Sequence, residues 1–235
     1  MRLLVLVLLA AAPEDLTPRE GSGWAGFAPG AWVRIKQTRL QTGRMLAPTI
    51  TRISLSKADA KALTLAIKTE NALGVSDEVQ QAVVPATGDA GTGETEKVEG
   101  LGEEEVAVAG KTVLCDRTQA TVTGPTGKRV ITKWVARDPK VLAKRVTIAF
   151  GVDGKEASRE TLVLAALAEE RTVGGRRIPC VKYEKKLTEA DFEWQGTAYL
   201  SRAMPGGLVW SEDEVRQKGA VILTQRAEIL EFGTK

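Results

Sequence analysis

Few side chains in this sequence are of types that do chemistry, and their spacing narrows the field further. Histidine is absent from all 235 residues, which removes the usual general base near neutral pH. Ser-His-Asp and Cys-His catalysis are therefore excluded within the chain. Zinc sites that need imidazole go with them, and two cysteines cannot build an all-thiolate site alone. Any metal would need oxygen ligands, yet no loop carries the regular ligand spacing of a calcium motif. Gly124-Pro125-Thr126-Gly127-Lys128-Arg129 superficially matches a phosphate loop. It fails the required spacing, puts Arg where a hydroxyl is needed, and precedes a strand pattern instead of a helix, so it reads as a hairpin turn. Ser54-x-x-Lys57 has the serine and lysine of penicillin-binding enzymes but falls on an alternating strand without companion motifs. The carboxylate runs Glu103-Glu104-Glu105, Glu169-Glu170 and Glu212-Asp213-Glu214 sit in polar stretches, where solvated faces are the common outcome. No cofactor is implied, and the residues point away from an enzyme.

The basic residues are more suggestive. In an extended chain successive side chains alternate between faces, so Arg129, Lys133 and Arg137 share one face of a strand while Val130, Trp134 and Ala136 take the other. Lys144, Arg145, Arg171, Arg176 and Arg177 add positive charge nearby. Together they could form a positive strip, with Arg129, Lys133, Arg137 and Arg176 as its candidate members, that touches anionic lipid head groups or an acidic cell-envelope polymer by Coulomb attraction. An ordinary solvated sheet face is the competing reading. The net charge of +3 is too small for nucleic-acid binding without a concentrated patch, so no nucleic-acid partner is expected.

Cys115 and Cys180 invite a disulfide if the chain is exported. Were their strands four places apart in one flat sheet, roughly 19 Å would separate them, whereas bridged Cα atoms lie within about 7 Å. A curled sheet could still bring them together. The alternative is a pair of buried, unreactive thiols.

The elements that must position these groups read as strands. Trp32 to Thr38 and Thr49 to Ser56 alternate apolar and polar residues, with many β-branched members. Ala62 to Lys68 continues the alternation, although Ala and Leu there would also suit a helix. Arg145 to Phe150 and Ala220 to Gln225 are further strand candidates, and Ser158 to Glu170, rich in Ala, Leu and Glu, is the least strand-like of the set. Hairpin signals stand at Gly124 to Gly127 and at Val152-Asp153-Gly154-Lys155. Residues 71–104, centred on Pro85 to Glu94, are turn formers and charges with little period and read as a long mobile insertion. A shift of 65 residues aligns Glu105-x-x-Val108-x-Gly110-Lys111-x-x-x-Cys115 with Glu170-x-x-Val173-x-Gly175-Arg176-x-x-x-Cys180, and Trp134 with Tyr199. An internal duplication into meanders would follow if the match is more than chance.

The opening Met1 to Ala12 has one basic residue, a short apolar run and small residues, the layout of a secretory signal peptide over residues 1–12. About ten apolar residues are too few to span a bilayer, which takes roughly twenty, so no transmembrane anchor is expected. A flexible arm over 13–23 and a β-rich domain over 24–235 complete the organisation. The motifs Trp24-x-Gly26-Phe27-x-x-Gly30-x-Trp32-Val33 and Met204-Pro205-Gly206-Gly207-Leu208-Val209 resemble a group of exported bacterial proteins and, more distantly, half-barrel lipoprotein carriers of the LolA type. The resemblance implies a curved antiparallel sheet able to cradle lipid, and it transfers no functional residue. The expected fold is mostly β, an antiparallel meander forming a curved sheet or half-barrel. The expected function is that of an exported, periplasmic or extracellular, non-catalytic binder of a lipid or other envelope component. The alternative is a structural or protein-interaction module acting through the 71–104 loop or a sheet edge.

Overall fold

The computed structural model describes residues 23–24, 26–59, 62–71, 74–75, 79–83, 95–137 and 140–234. The leader at 1–12 and the arm through residue 22 lie outside the described residues. Every regular element among the described residues is a strand. In chain order they are β1 (Trp32–Gln41), β2 (Arg44–Met45), β3 (Thr49–Ala58), β4 (Leu63–Asn71), β5 (Gly74–Val75), β6 (Val79–Val83), β7 (Thr95–Val108) and β8 (Lys111–Gly124). They continue as β9 (Gly127–Arg137), β10 (Lys140–Phe150), β11 (Glu156–Val173), β12 (Arg176–Glu189), β13 (Phe192–Leu200), β14 (Leu208–Gln217) and β15 (Ala220–Gly233).

All belong to one antiparallel sheet ordered β5-β4-β3-β1-β15-β14-β13-β12-β11-β10-β9-β8-β7, with β2 on β1 and β6 on β4. β7 to β15 form an uninterrupted meander, and the last strand then pairs with the first, so β1, β3 and β4 extend the sheet beyond β15. The two ends of this path do not pair with each other, and the sheet is not closed. The mostly β, antiparallel, curved-meander expectation is met.

Two-residue turns tighten the hairpins. At Ala109-Gly110 and at Gly174-Gly175 both residues have positive φ, as the type I′ turn favoured between twisted strands requires. The same 65-residue shift that aligns the sequence also aligns register. Glu104 faces Cys115 as Glu169 faces Cys180, and Asp116 faces Val135 as Val181 faces Leu200.

One face carries a long row of buried side chains. Cross-strand neighbours share a face, which places Leu164, Tyr183, Ala198, Ser211, Ala227 and Gln37 in one row across six strands. Ile35, Thr51 and Ile53 lie on the same face, and nearly all of these side chains are buried. On the opposite, outer face Cys115, Trp134, Ala136, Ile178, Cys180 and Tyr199 are buried as well, and cationic stems lie over its rings. Arg117 and Lys144 flank Trp134 at 5.3 and 4.8 Å, and Arg171 sits 3.7 Å from the Tyr199 ring centre.

The two motifs behind the sequence resemblance meet at one end. Trp24 is buried against Gly206, where an added Cβ would come within 3.0 Å of its indole nitrogen, and the Gly206 amide donates to the Gly23 carbonyl at 3.2 Å. Met204 completes this plug with no exposure.

Two expectations need correction. Residues 95–104 are not part of a structureless insertion; they are the first ten residues of β7, and β5 and β6 also fall inside the span read as loop. β7 carries exposed, mostly charged side chains on both faces of residues 95–105, so no period-two hydrophobicity marks it, and backbone pairing with β8 is what holds it. Residues 72–73, 76–78 and 84–94 lie outside the described residues. The disulfide is absent too: Cys115 and Cys180 are free, buried thiols. Their strands, β8 and β12, are four places apart in the sheet, too far for a bridge.

Tyr183 ties the core together, its hydroxyl donating 2.9 Å to the Leu142 carbonyl on β10 from a fully buried ring. Tyr183→Phe removes that buried hydrogen bond and is expected to cost about 0.5–1.5 kcal/mol. Urea unfolding should show a lower midpoint with an unchanged slope.

Candidate functional site

One row of the inner face differs from the rest. Following register from β9 outward, Lys133 faces Arg145, Arg145 faces Leu162, and Leu162 faces Lys185. Lys185 faces Gly196, Gly196 faces Asp213, Asp213 faces Gln225, and Gln225 faces Arg39. Eight strands thus contribute a line in which six positions are polar or ionisable and Leu162 and Gly196 are not, immediately beside the buried row of Tyr183 and Ser211. The next row outward is more apolar: the partly buried Ile131, Leu187, Trp194 and Leu223 share it with Thr147, Glu160 and the buried Val215. Phe192 lies beyond it, its ring centre 5.7 Å from that of Trp194. The inner face is therefore a packed core at one end, a polar belt in the middle and a half-exposed apolar margin at the hairpin tips.

The belt is electrostatically tense. Arg145 pairs with Glu160 at 3.3 Å, with only 15% and 23% of the two side chains exposed. Burial, with the like charge of Arg145 second, holds the Lys133 ammonium below its ordinary pKa. Burial pushes the Asp213 carboxyl up, Lys185 opposing the shift and Glu212 adding to it. Gly196 makes room for this carboxylate: a Cβ there would collide with Asp213 and approach the Glu212 carbonyl to 2.8 Å. Gln225 and Ser211 are 2% and 1% exposed, and neither Gln225 Oε1 nor Ser211 Oγ has a hydrogen-bond partner. Buried polar atoms are rarely left so.

The strip read from sequence is only partly assembled. Arg129 and Lys133 lie on the inner face, and Lys133 is half-buried beside Arg145 instead of solvated. Arg137 shares their face but is engaged by Asp116 at 2.6 Å and by Glu103, which holds its guanidinium well above the ordinary value. Arg176 stands at the β11–β12 tip, 5.6 Å from the Phe232 ring centre, away from the others. Lys185, Ser211 and Gln225 carried no local signal in the sequence, and Asp213 read there only as a member of a solvated carboxylate run. A concavity of about 880 Å³ lies over β11–β15 on the outer face, bordered by Lys182, Glu184, Lys186, Glu212 and Glu214 together with the apolar surfaces of Val163, Tyr199 and Trp210. Arg171 overlies the two aromatic rings. Among the described residues no group of three or more acidic or thiol side chains is placed to hold a metal ion, and no helix is long and apolar enough to cross a membrane.

An open antiparallel meander with a polar belt on its buried face is the class of molecule these observations define. No family model matches the chain, and no curated protein matches it. Solved structures similar in fold include a Bacteroides fragilis protein described as exported with a YmcC-like fold, 12% identical over 88% of this chain and 97% of that one, with a TM-score of 0.37. A LolA-superfamily protein of Nitrosomonas europaea is 10% identical over 98% and 93%, with a TM-score of 0.36. A lipoprotein-sorting domain of Vibrio parahaemolyticus is 7% identical over 88% and 86%, also at 0.36. Likenesses this distant bear on neither ligand nor activity.

Asp213 gives the belt a measurable signature. Because the fold raises its pKa, its charge costs stability above that pKa, and the cost fades as pH falls through the raised value toward the ordinary carboxylate range. Asp213→Asn is expected to raise the thermal unfolding midpoint at neutral pH, with the gain shrinking in acid. A gain that does not vary with pH would contradict the assignment.

Proposed function

We propose that this protein is an exported, non-catalytic binding protein that holds an amphiphile from the cell envelope against the inner face of its open sheet. The observation that carries the reading is the half-buried apolar margin of Ile131, Leu187, Phe192, Trp194 and Leu223 on the face that elsewhere forms the core. These side chains are partly open to solvent, and apolar surface on a core face suits an apolar ligand. The exported location rests on the composition of residues 1–12.

Support for a non-catalytic role comes from spacing. The close inner-face pair Glu103 and Asp116 is taken up by Arg137, and the carboxylates of the belt and margin, Glu160 and Asp213, lie on β11 and β14, three strands apart. That is roughly 14 Å along the sheet, beyond the span of about 5–9.5 Å that paired acid–base carboxylates use. The alternative of partner capture at the sheet edge finds β7 poorly suited. Its outer side carries Glu96, Lys97, Glu99 and the Glu103 to Glu105 run, and its register slips between Gly100 and Gly102. Charges and bulges of this sort discourage strand addition.

Protein purified from the envelope of its own host and sprayed under native conditions is expected to carry bound lipid mass that is lost on unfolding. Leu187→Glu, which puts a carboxylate beside Glu160 in the apolar margin, should lower lipid retention at least about tenfold, or ~1.4 kcal/mol, without shifting the unfolding midpoint greatly. Full retention by a folded Leu187→Glu variant would place the ligand elsewhere.

A further inference from the structure

We infer that the outer-face concavity over β11–β15 binds a neutral saccharide chain, held by the hydroxyl of Thr197 and the carboxylates of Glu184 and Glu212. It lies on the face opposite the apolar margin, so the inference goes beyond the amphiphile reading and does not depend on it.

Three observations converge on it. The first is the arrangement of side chains in a hollow of about 880 Å³, a size within the roughly 300–1,000 Å³ of small-ligand sites. Its middle row is Val163 facing Glu184, Glu184 facing Thr197 and Thr197 facing Glu212. Glu184, Thr197 and Glu212 span two strand spacings, about 10 Å, so one ligand reaches all three. On one side of this row Tyr199 faces Trp210, and on the other Thr161 and Thr224 stand at either end of the next row. The three threonines are half-buried, while Glu184 and Glu212 are exposed around them.

The second is which groups are already engaged. Lys186 pairs with Glu193 at 2.6 Å and Glu214 with Arg216 at 2.6 Å, and the Gln195 amide donates to Glu193 at 2.8 Å. Arg226, across from Glu212, reaches Glu228 at 3.9 Å instead. Among the described residues Lys182, Glu184, Glu212 and the hydroxyls of Thr161, Thr197 and Thr224 have no hydrogen-bond or ion-pair partner. Arg171, over the aromatic rings, balances the free charges at two cations against two carboxylates.

The third is what such a set selects. A polyanion meets Glu184 and Glu212, and a polycation meets Lys182 and Arg171, so each is disfavoured by like charge. Saccharide hydroxyls both donate and accept, which matches carboxylates, an ammonium and hydroxyls within one hollow. The C–H surface of the sugar rings can lie along Val163 and the open part of Trp210. A peptide strand would seek an unpaired sheet edge, and β12, β13 and β14 are paired on both sides.

The full chain is titrated by calorimetry with neutral hexasaccharides (cello-, malto-, manno- and chitohexaose), with hexagalacturonate as a polyanion and with hexalysine as a cationic peptide. At least one neutral hexasaccharide is expected to bind about tenfold or more tighter than either charged probe. Thr197→Val keeps the branched shape of the side chain and removes the central hydroxyl, and it should weaken that binding about fivefold with the unfolding midpoint unchanged. Glu212→Ala should act in the same direction. Leu187→Glu, on the other face, should leave saccharide affinity as it is. A preference for hexagalacturonate or hexalysine overturns the neutral-saccharide assignment, as does failure of all four hexasaccharides to bind. Saccharide binding untouched by both Thr197→Val and Glu212→Ala, or lost with Leu187→Glu, overturns the site. None of these results bears on lipid retention, so the amphiphile reading stands or falls separately.

Discussion

The pairing of β1 with β15 is the contact on which the rest of the molecule depends. Ten residues of the first strand lie antiparallel to the last, from Trp32 against Gly233 to Gln41 against Leu223. This junction fuses the three N-terminal strands to the nine-strand meander and brings Ile35 and Gln37 into line with Ile229 and Ala227. It is reinforced from both sides. Trp32 packs where Gly233 has no side chain, an added Cβ coming within 2.9 Å of the indole ring, and Arg34 reaches Glu231 at 3.6 Å and Glu70 at 3.4 Å. Arg52 covers the exposed face of Trp32 at 4.6 Å. Without the junction, two half-sheets would each present an apolar face to water, and neither has a helix among its described residues with which to cover it.

A single sheet lacking a helical layer must dispose of its second face by other means. Here part of the outer face is packed, around Cys115, Ala136, Ile178 and Cys180, and its rings are sheltered under long cationic side chains. Such contacts are worth about 0.5–1 kcal/mol each at exposed sites, so their role is less to stabilise than to keep aromatic surface from water. Polar groups are displaced in the opposite direction, into the inner face, where Asp213, Lys133 and the Arg145–Glu160 pair bear the cost of burial. Stability alone would favour apolar residues at those places, and their presence there is what singles the belt out.

What could be read in advance follows from how far each signal travels along the chain. Alternation is local, so β1, β3 and β9 were legible from Trp32, Thr49 and Arg129 onward, and the shared face of Arg129, Lys133 and Arg137 came with them. β11 was harder because Ala165, Ala166 and Leu167 suit a helix, and only its neighbours on both sides make it a strand. β7 was missed because an edge strand with solvent on both faces has no apolar period to display. The belt was invisible for a different reason. Its members are drawn from positions as far apart as Arg39 and Gln225, and no short window contains more than one. Gly196 was the nearest thing to a local clue, a residue without a side chain in mid-strand, and its meaning depends on Asp213 on the adjacent strand.

The β1–β15 junction also governs the order in which the chain can acquire its structure. The partners are separated by about 180 to 200 residues, so the loop closed by this pairing is nearly the whole polypeptide. Non-local closures of that length carry a large entropic cost before any contact rewards them, and sheets of high contact order fold slowly. The meander from β7 to β14 can form by successive hairpins as each strand becomes available. β1, β3 and β4, although made first, must wait for the last fourteen-residue strand. A chain built this way stays unfinished until β15 has been made.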